Sequence, residues 1–249
     1  MAQYWVDCDD LAKVTVNDRP NGSLEMSVVT DDGSPSFLLN GAARAVISPV
    51  DMVASAQADV RVLVRDASGN SARGLGAGVQ FGEDQFGRPD GQGHLIARGS
   101  TDARFYINTS NISISGAPSI TNNAYHWTGA EYELSGSDQI VRLYKWTGDA
   151  SDRPSAFDTL TNPSGLATGT QKHGVGAYLF DSANSFYVKI IAIGTDGDPA
   201  PTGPVGGISA EPFALRHNPR TNKVIPVLSS PTVTDIGATC VRPRVSKGF

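Results

Sequence analysis

A chain of 249 residues, 39% hydrophobic and 18% charged, has a globular composition and the length for one large all-β domain or two smaller ones. A formal net charge of −5 leaves no basic footprint for nucleic acid and no polybasic contact for a membrane surface. No apolar run approaches the roughly 18 residues that cross a bilayer as a helix, and MAQYWVDCDD lacks the basic and then apolar regions of a secretory signal, so a soluble, cytoplasmically made protein is expected.

Asp7, Asp9 and Asp10 cluster near the start and, with Asp181 and Asn184, offer oxygens to calcium; turn chemistry accounts for the same residues, and no cofactor is expected. Two readings stand for the two cysteines, Cys8 and Cys240: a bridge if the ends of the chain lie side by side, or two buried thiols in a reducing compartment. SLEMSVV places Leu24, Met26 and Val28 on one strand face. The alanine-rich stretch from Ala42 to Ala58, interrupted by Pro49, is read as one short helix. DVRVLVRD sets Val60, Val62 and Val64 against Arg61 and Arg65 with a period of two.

ARFYIN, QIVRLYKW and SFYVKIIAIG repeat that period, and DASGN, SGSD, DSANS and TDGD supply turn chemistry between strands. Amphipathic sheets must cover their apolar faces, so the expectation is an all-β, antiparallel two-sheet sandwich over residues 1–195. DGDPAPTGPVGG then marks residues 196–210 as a Pro- and Gly-rich linker or loop. Residues 211–249 read as an extended C-terminal β arm. The arm is basic, with Arg216, Arg220, Lys223, Arg242, Arg244 and Lys247 against Glu211 and Asp235, and it ends at Phe249.

The run YHWTGAEYELSGSDQIVRLYKWTGDASDRPSAFDTL, followed by HGVGAYLFDSANSFYVKIIAIG, resembles the back half of a concanavalin A-like sandwich of the laminin G-like type. The likeness lies in a tryptophan ahead of a strand, a glycine turn, a strand ending in Lys145 and Trp146, and the Gly174 to Gly176 strand that hairpins onward. It implies a jelly-roll of two curved antiparallel sheets. TNKVIPVLSSPTVTDIGATCVRPRVSKGF is similar to C-terminal segments of tail-associated proteins of tailed bacteriophages, which implies a virion component assembled in the host cytoplasm.

Retaining glycosidases of this fold carry paired carboxylates, usually on an E-x-D-x-E strand. Glu131 and Glu133 in AEYEL, and Glu83 with Asp84 in FGEDQFG, lack that pattern, and no nucleophile elbow is present. The four histidines, His94, His126, His173 and His217, lack metal-ligand spacing, and GLGAGVQFG lacks the GK[ST] ending of a phosphate loop. No catalytic residues are assigned, and the chain is read as not an enzyme. Sugar binding draws on aromatic faces and polar groups: Arg142, Tyr144 and Trp146 alternate along one strand face, with Trp127 nearby, and these four form the candidate glycan site. Core packing explains the tryptophans equally well. Asp84, Gln85, Arg88, Asp90, Asn122 and Asn123 are candidate polar contacts in loops.

The expected function is a structural, tail-associated virion protein whose sandwich binds a host-surface glycan or a neighbouring protein and whose arm serves assembly. Its expected partners are other virion proteins and further copies of itself, with no nucleic acid and no membrane insertion. The alternative is a stand-alone carbohydrate-binding module or lectin, with a glycoside hydrolase as a third reading.

Overall fold

A computed structural model describes residues 2–18, 23–67, 74–83, 89–92, 94–98, 102–107, 110–114, 116–121, 123–163, 169–180, 185–205, 214–218 and 223–227. It begins with β1 (Gln3–Asp7), a 3-10 turn (Leu11–Lys13), β2 (Val14–Asp18), β3 (Glu25–Asp31), β4 (Ser34–Asn40), β5 (Ala42–Pro49) and β6 (Ala58–Asp66). β7 (Gly74–Glu83), β8 (Pro89–Gln92), β9 (His94–Arg98), β10 (Asp102–Ile107) and β11 (Ser110–Ile114) follow. Then come β12 (His126–Ser135), β13 (Asp138–Trp146), a 3-10 turn (Ala150–Asp152), β14 (Asp158–Thr161), β15 (Lys172–Phe180) and β16 (Phe186–Thr195). β17 (Ala214–Asn218) and β18 (Lys223–Val227) complete the series.

An eight-stranded sheet runs β14-β13-β12-β6-β16-β4-β3, with β1 also paired to β16, and it packs on a five-stranded sheet ordered β2-β5-β15-β7-β8. β9, β10 and β11 form a three-stranded sheet of their own. The pairings are antiparallel, and the architecture is the all-β, antiparallel two-sheet sandwich that the strand periodicity predicts.

Alternation builds the core: Val60, Val62 and Val64 of β6, Ala130 and Tyr132 of β12, and Val141 and Leu143 of β13 meet Ala45, Ile47, Leu75, Ala77, Val175 and Ala177 from the facing sheet. At the edge strand β3 the predicted face is only half used, since Met26 packs on the core while Val28 stays exposed. A bulge between Val188 and Ile190 lets Val188, Ile191 and Ile193 all reach the core, which a strict period of two forbids.

The helix expected within 42–58 is replaced by β5. Ala45 and Ile47, two residues apart, put one face of the strand into the core, and β5 lies between β2 and β15, so cross-strand pairing overrides the helix propensity of alanine. Among the described residues the only helical segments are the two 3-10 turns.

Cys8 is a buried free thiol whose pKa burial, helped by Asp7 and Asp9, pushes well up; Cys240 lies outside the described residues. The chain divides into two units, Met1–Val205 and Gly206–Phe249. Residues 196–205 thus stay with the sandwich. In the second unit β17 and β18 form an antiparallel hairpin. Arg216 sits on β17 and Lys223 on β18, whereas Arg220, Arg242, Arg244 and Phe249 lie outside the described residues.

Candidate functional site

The outer face of the eight-stranded sheet collects the chemistry. Register aligns Trp5, Ala192, Arg61, Gly129 and Tyr144 across five strands, with Ile190, Leu63, Trp127 and Trp146 in the next row and Gly194, Asp59, Glu131 and Arg142 on the other side. Strand parity therefore places all four predicted glycan residues on one face.

The indoles of Trp127 and Trp146 stack at 5.7 Å between centroids with an 11° interplanar angle, and Trp5 leans on Trp127 at 6.4 Å and 49°. Gly129 leaves the room for this. A β-carbon there would lie 3.3 Å from the Trp146 ring and 3.1 Å from the Val60 carbonyl oxygen.

Three side chains of this face donate to three successive carbonyls of the loop after β13. Trp127 Nε1 donates to Gly148 O at 3.0 Å, Trp146 Nε1 to Asp149 O at 2.9 Å and Arg61 Nη1 to Ala150 O at 3.0 Å. The loop is thereby drawn down over the rings. Trp127, Tyr144 and Trp146 keep only 2%, 5% and 6% exposure, so their faces pack against the protein and clamp the loop. The Arg142 side chain is about a third exposed, at 32%.

Asp59 is the electrostatic hub. Its buried carboxylate accepts from Arg61 Nη2 at 2.7 Å, Arg153 Nη1 at 2.8 Å and the Ala200 backbone N–H at 2.9 Å. The Arg153 guanidinium lies 4.4 Å from the Tyr144 ring centroid, and the Tyr144 hydroxyl donates to Glu131 at 2.7 Å. Burial, followed by that hydrogen bond, pushes the Tyr144 pKa up to about 12. Arg142 donates to Glu133 and lies 3.7 Å from Glu131. Both carboxylates of the AEYEL strand are thus held by one guanidinium.

The segment after β16 crosses this face as a strap. Gln3 Nε2 donates to Pro199 O at 2.8 Å, Ala200 is tied to Asp59, and Ala200 and Pro201 are buried. Gly194 permits the crossing, because a β-carbon there would sit 2.3 Å from the Asp198 carbonyl oxygen. Several pockets lie along the strap. One of about 360 Å³ is lined by Asp59, Glu131, Glu133, Arg153 and Asp198, and one of about 320 Å³ by Trp5, Leu63, Trp127, Ile190, Ser151 and Thr202.

A second charged group on the same sheet joins Arg65 to Asp31, with the guanidinium 4.3 Å from the Tyr187 ring and Lys189 Nζ 4.0 Å from the Tyr125 ring. Asn123 accepts from Arg65 at 2.8 Å. Asp84, Gln85, Arg88 and Asn122 lie outside the described residues; Glu83 ends β7 and Asp90 is in β8.

The acidic residues near the start each have protein partners or a capping role. Asp7 accepts from Trp5 Nε1 at 3.0 Å, Asp9 pairs with Lys13, and Asp10 accepts from the Ala12 N–H at 2.9 Å to cap the first 3-10 turn. Asp181 and Asn184 lie outside the described residues, among which no group of three His, Cys, Asp or Glu is placed to hold a metal. His126 and His173 are buried, and burial drives the pKa of each down to about 4. His94 and His217 lie in β9 and β17.

Sequence reasoning missed Trp5, Asp59, Arg153 and the strap. The pairing of Asp59 with Arg61 had a visible signal, two opposite charges one pleat apart on the same face; the contacts of Arg61 with the loop, of Arg153 with Asp59 and of the strap are too distant in sequence to have one.

No family model matches the sequence, and no curated protein is significantly similar to it. Solved structures that align with the chain include a protein of unknown function from Shewanella oneidensis MR-1, 14% identical with a TM-score of 0.48, covering 76% of this chain and 84% of that one. The exoplasmic/lumenal domain of VIP36 in its Ca2+/Man3GlcNAc-bound form is 12% identical with a TM-score of 0.44, over 70% of this chain and 83% of its own. A β-1,3-glucanase from Mycobacterium marinum is 8% identical with a TM-score of 0.45, over 76% of this chain and 93% of its own. These are distant likenesses of fold.

Proposed function

We propose that the chain is a carbohydrate-binding β-sandwich module that takes its ligand on the outer face of the eight-stranded sheet. One observation carries the reading: an accessible aromatic ring, the half-buried Trp5 leaning on Trp127, and exposed polar side chains share a single face whose loop is pinned to the sheet. A sugar ring presents the same two chemistries, an apolar C–H surface and a rim of hydroxyls. Glu131 and Glu133 are no part of the ligand site in this reading, since Arg142 and Tyr144 already engage them within the protein. Probing the full chain on an array of neutral, sialylated and sulfated oligosaccharides tests it. Saturable binding to a defined glycan class is expected, and no binding to any would refute it.

The arm supports a second role beside this one. Among the described residues β17 and β18 pair only with each other, and a two-stranded hairpin is marginal alone in water. We propose that this basic segment gains stability by joining another chain's sheet edge. The virion reading rests on the arm's sequence, and no feature of the sandwich adds to it.

A further inference from the structure

We infer that the pocket bounded by Trp5, the 148–151 loop and Thr202 is the binding site for one uncharged pyranose ring stacked on the Trp5 indole. The inference rests on the carbohydrate reading and narrows it to a place and a ligand class. Of the three tryptophans, Trp127 and Trp146 are buried under the loop, whereas Trp5 is only half-buried. Its Nε1 donates to Asp7 at 3.0 Å, which fixes the ring plane before any ligand arrives.

Leu63 and Ile190, both partly exposed, continue the apolar floor beside it. The hydroxyls of Ser151 and Thr202 stand exposed at the rim and can donate to, or accept from, ligand hydroxyls. The loop that carries Ser151 is pinned through three successive carbonyls, so the rim is rigid on one side. A volume of about 320 Å³ lies at the lower end of small-molecule sites and suits one ring better than an extended chain.

Charge selects the class. Among the described residues the ionisable side chain lining this pocket is Asp149, and no Lys or Arg of theirs lines it, so a carboxylated or sulfated sugar would meet repulsion. A quaternary ammonium is disfavoured for a different reason. Such cations are held between several aromatic faces, and among the described residues lining this pocket Trp127 is 2% exposed, which leaves Trp5 as the accessible ring. The neighbouring pocket is less suited to a sugar, because Asp59, Arg153 and Glu131 are already paired within the protein and a ligand would have to break those contacts.

The test uses the full chain, the same array, and calorimetric titration with the best neutral oligosaccharide found on it. Trp5→Ala is expected to weaken binding by roughly tenfold or more, the loss expected for one aromatic contact. Trp5→Phe, which keeps a flat apolar face, is expected to retain most of the affinity if the variant folds, and Glu133→Gln is expected to leave affinity unchanged. Thermal melts of each variant separate lost binding from lost fold. Binding of neutral glycans that survives Trp5→Ala overturns the site while leaving the carbohydrate reading intact. Preference for sialylated or sulfated glycans, or binding of choline in their place, overturns the ligand class. No glycan binding by the wild-type chain overturns the reading beneath.

Discussion

Trp127 and Trp146 lie directly opposite each other on β12 and β13 with their rings stacked, yet they donate to different carbonyls, Gly148 and Asp149. The pair is a two-point clamp. One ring orients the other, and together they hold the start of the β13–β14 loop against the sheet.

Removing one half of that clamp is therefore a stability experiment. Trp146→Ala deletes a buried indole and is expected to cost about 3–5 kcal/mol. Trp146→Phe keeps most of the apolar contact but leaves the Asp149 carbonyl without its donor, for about 1–2 kcal/mol. Urea unfolding followed by circular dichroism measures both. Equal losses for the two variants would mean that the hydrogen bond, and not the ring, carries the effect.

Much of this face was legible beforehand, because strand parity is local. Arg142, Tyr144 and Trp146 share a side by alternation alone, and Val60, Val62 and Val64 follow the same rule on β6. What parity cannot say is which face is later covered. The burial of Trp127 and Trp146 depends on a loop that reverses after Gly148, and the neutralisation of Asp59 depends on Arg153 and Ala200, 94 and 141 residues away in sequence. The Ala42–Pro49 segment failed in the opposite direction, since local composition favoured helix and two flanking strands decided otherwise.

Asp59 sets up a contrast between buried and exposed ion pairs. Asp59→Asn removes the charge that compensates Arg61 and Arg153, and with both Asp59 and Arg61 side chains at 6% exposure it is expected to destabilise by about 3–5 kcal/mol. Arg142→Gln breaks contacts with Glu131 and Glu133 among side chains about a third exposed and is expected to cost no more than about 1 kcal/mol. Chemical denaturation of the two variants in parallel decides it. Similar losses would show that Asp59 is not the hub its contacts describe.

Acid sensitivity follows from the core histidines. His173 is fully buried, donates from Nε2 to the Ser55 carbonyl at 2.9 Å and packs 5.2 Å from the Tyr132 ring, and burial lowers its pKa to about 4. His126 is depressed to about 4 as well, first by burial and then by the charge of Lys145. An unfolded histidine titrates near 6.5. Between that value and about 4 the unfolded chain binds more protons than the folded one, so stability present above pH 6.5 is lost as pH falls. Denaturation midpoints at pH 7, 6 and 5 should decline, and the decline from pH 6.5 to 5 should flatten in His173→Gln. A wild-type midpoint that does not move over this range would contradict the burial argument.

The last prediction separates the arm from the sandwich. The strap through Val205 is anchored by Ala200 on Asp59 and Gln3 on Pro199, so the final anchor of the first unit precedes the arm. Deleting residues 211–249 is therefore expected to leave the sandwich folded, with a melting temperature within a few degrees of the full chain and glycan binding intact. The hairpin, lacking a third strand among the described residues, is expected to matter for association. Analytical ultracentrifugation of the full and shortened chains reads this directly: an assembled full chain and a monomeric shortened one support strand addition, and identical sedimentation of the two removes the arm's role in self-assembly. Raising the salt should weaken association if the arm's basic residues meet an acidic edge, because exposed charge pairs are screened within about 10 Å at 0.1 M. Salt-independent association would point instead to backbone pairing as the source of affinity.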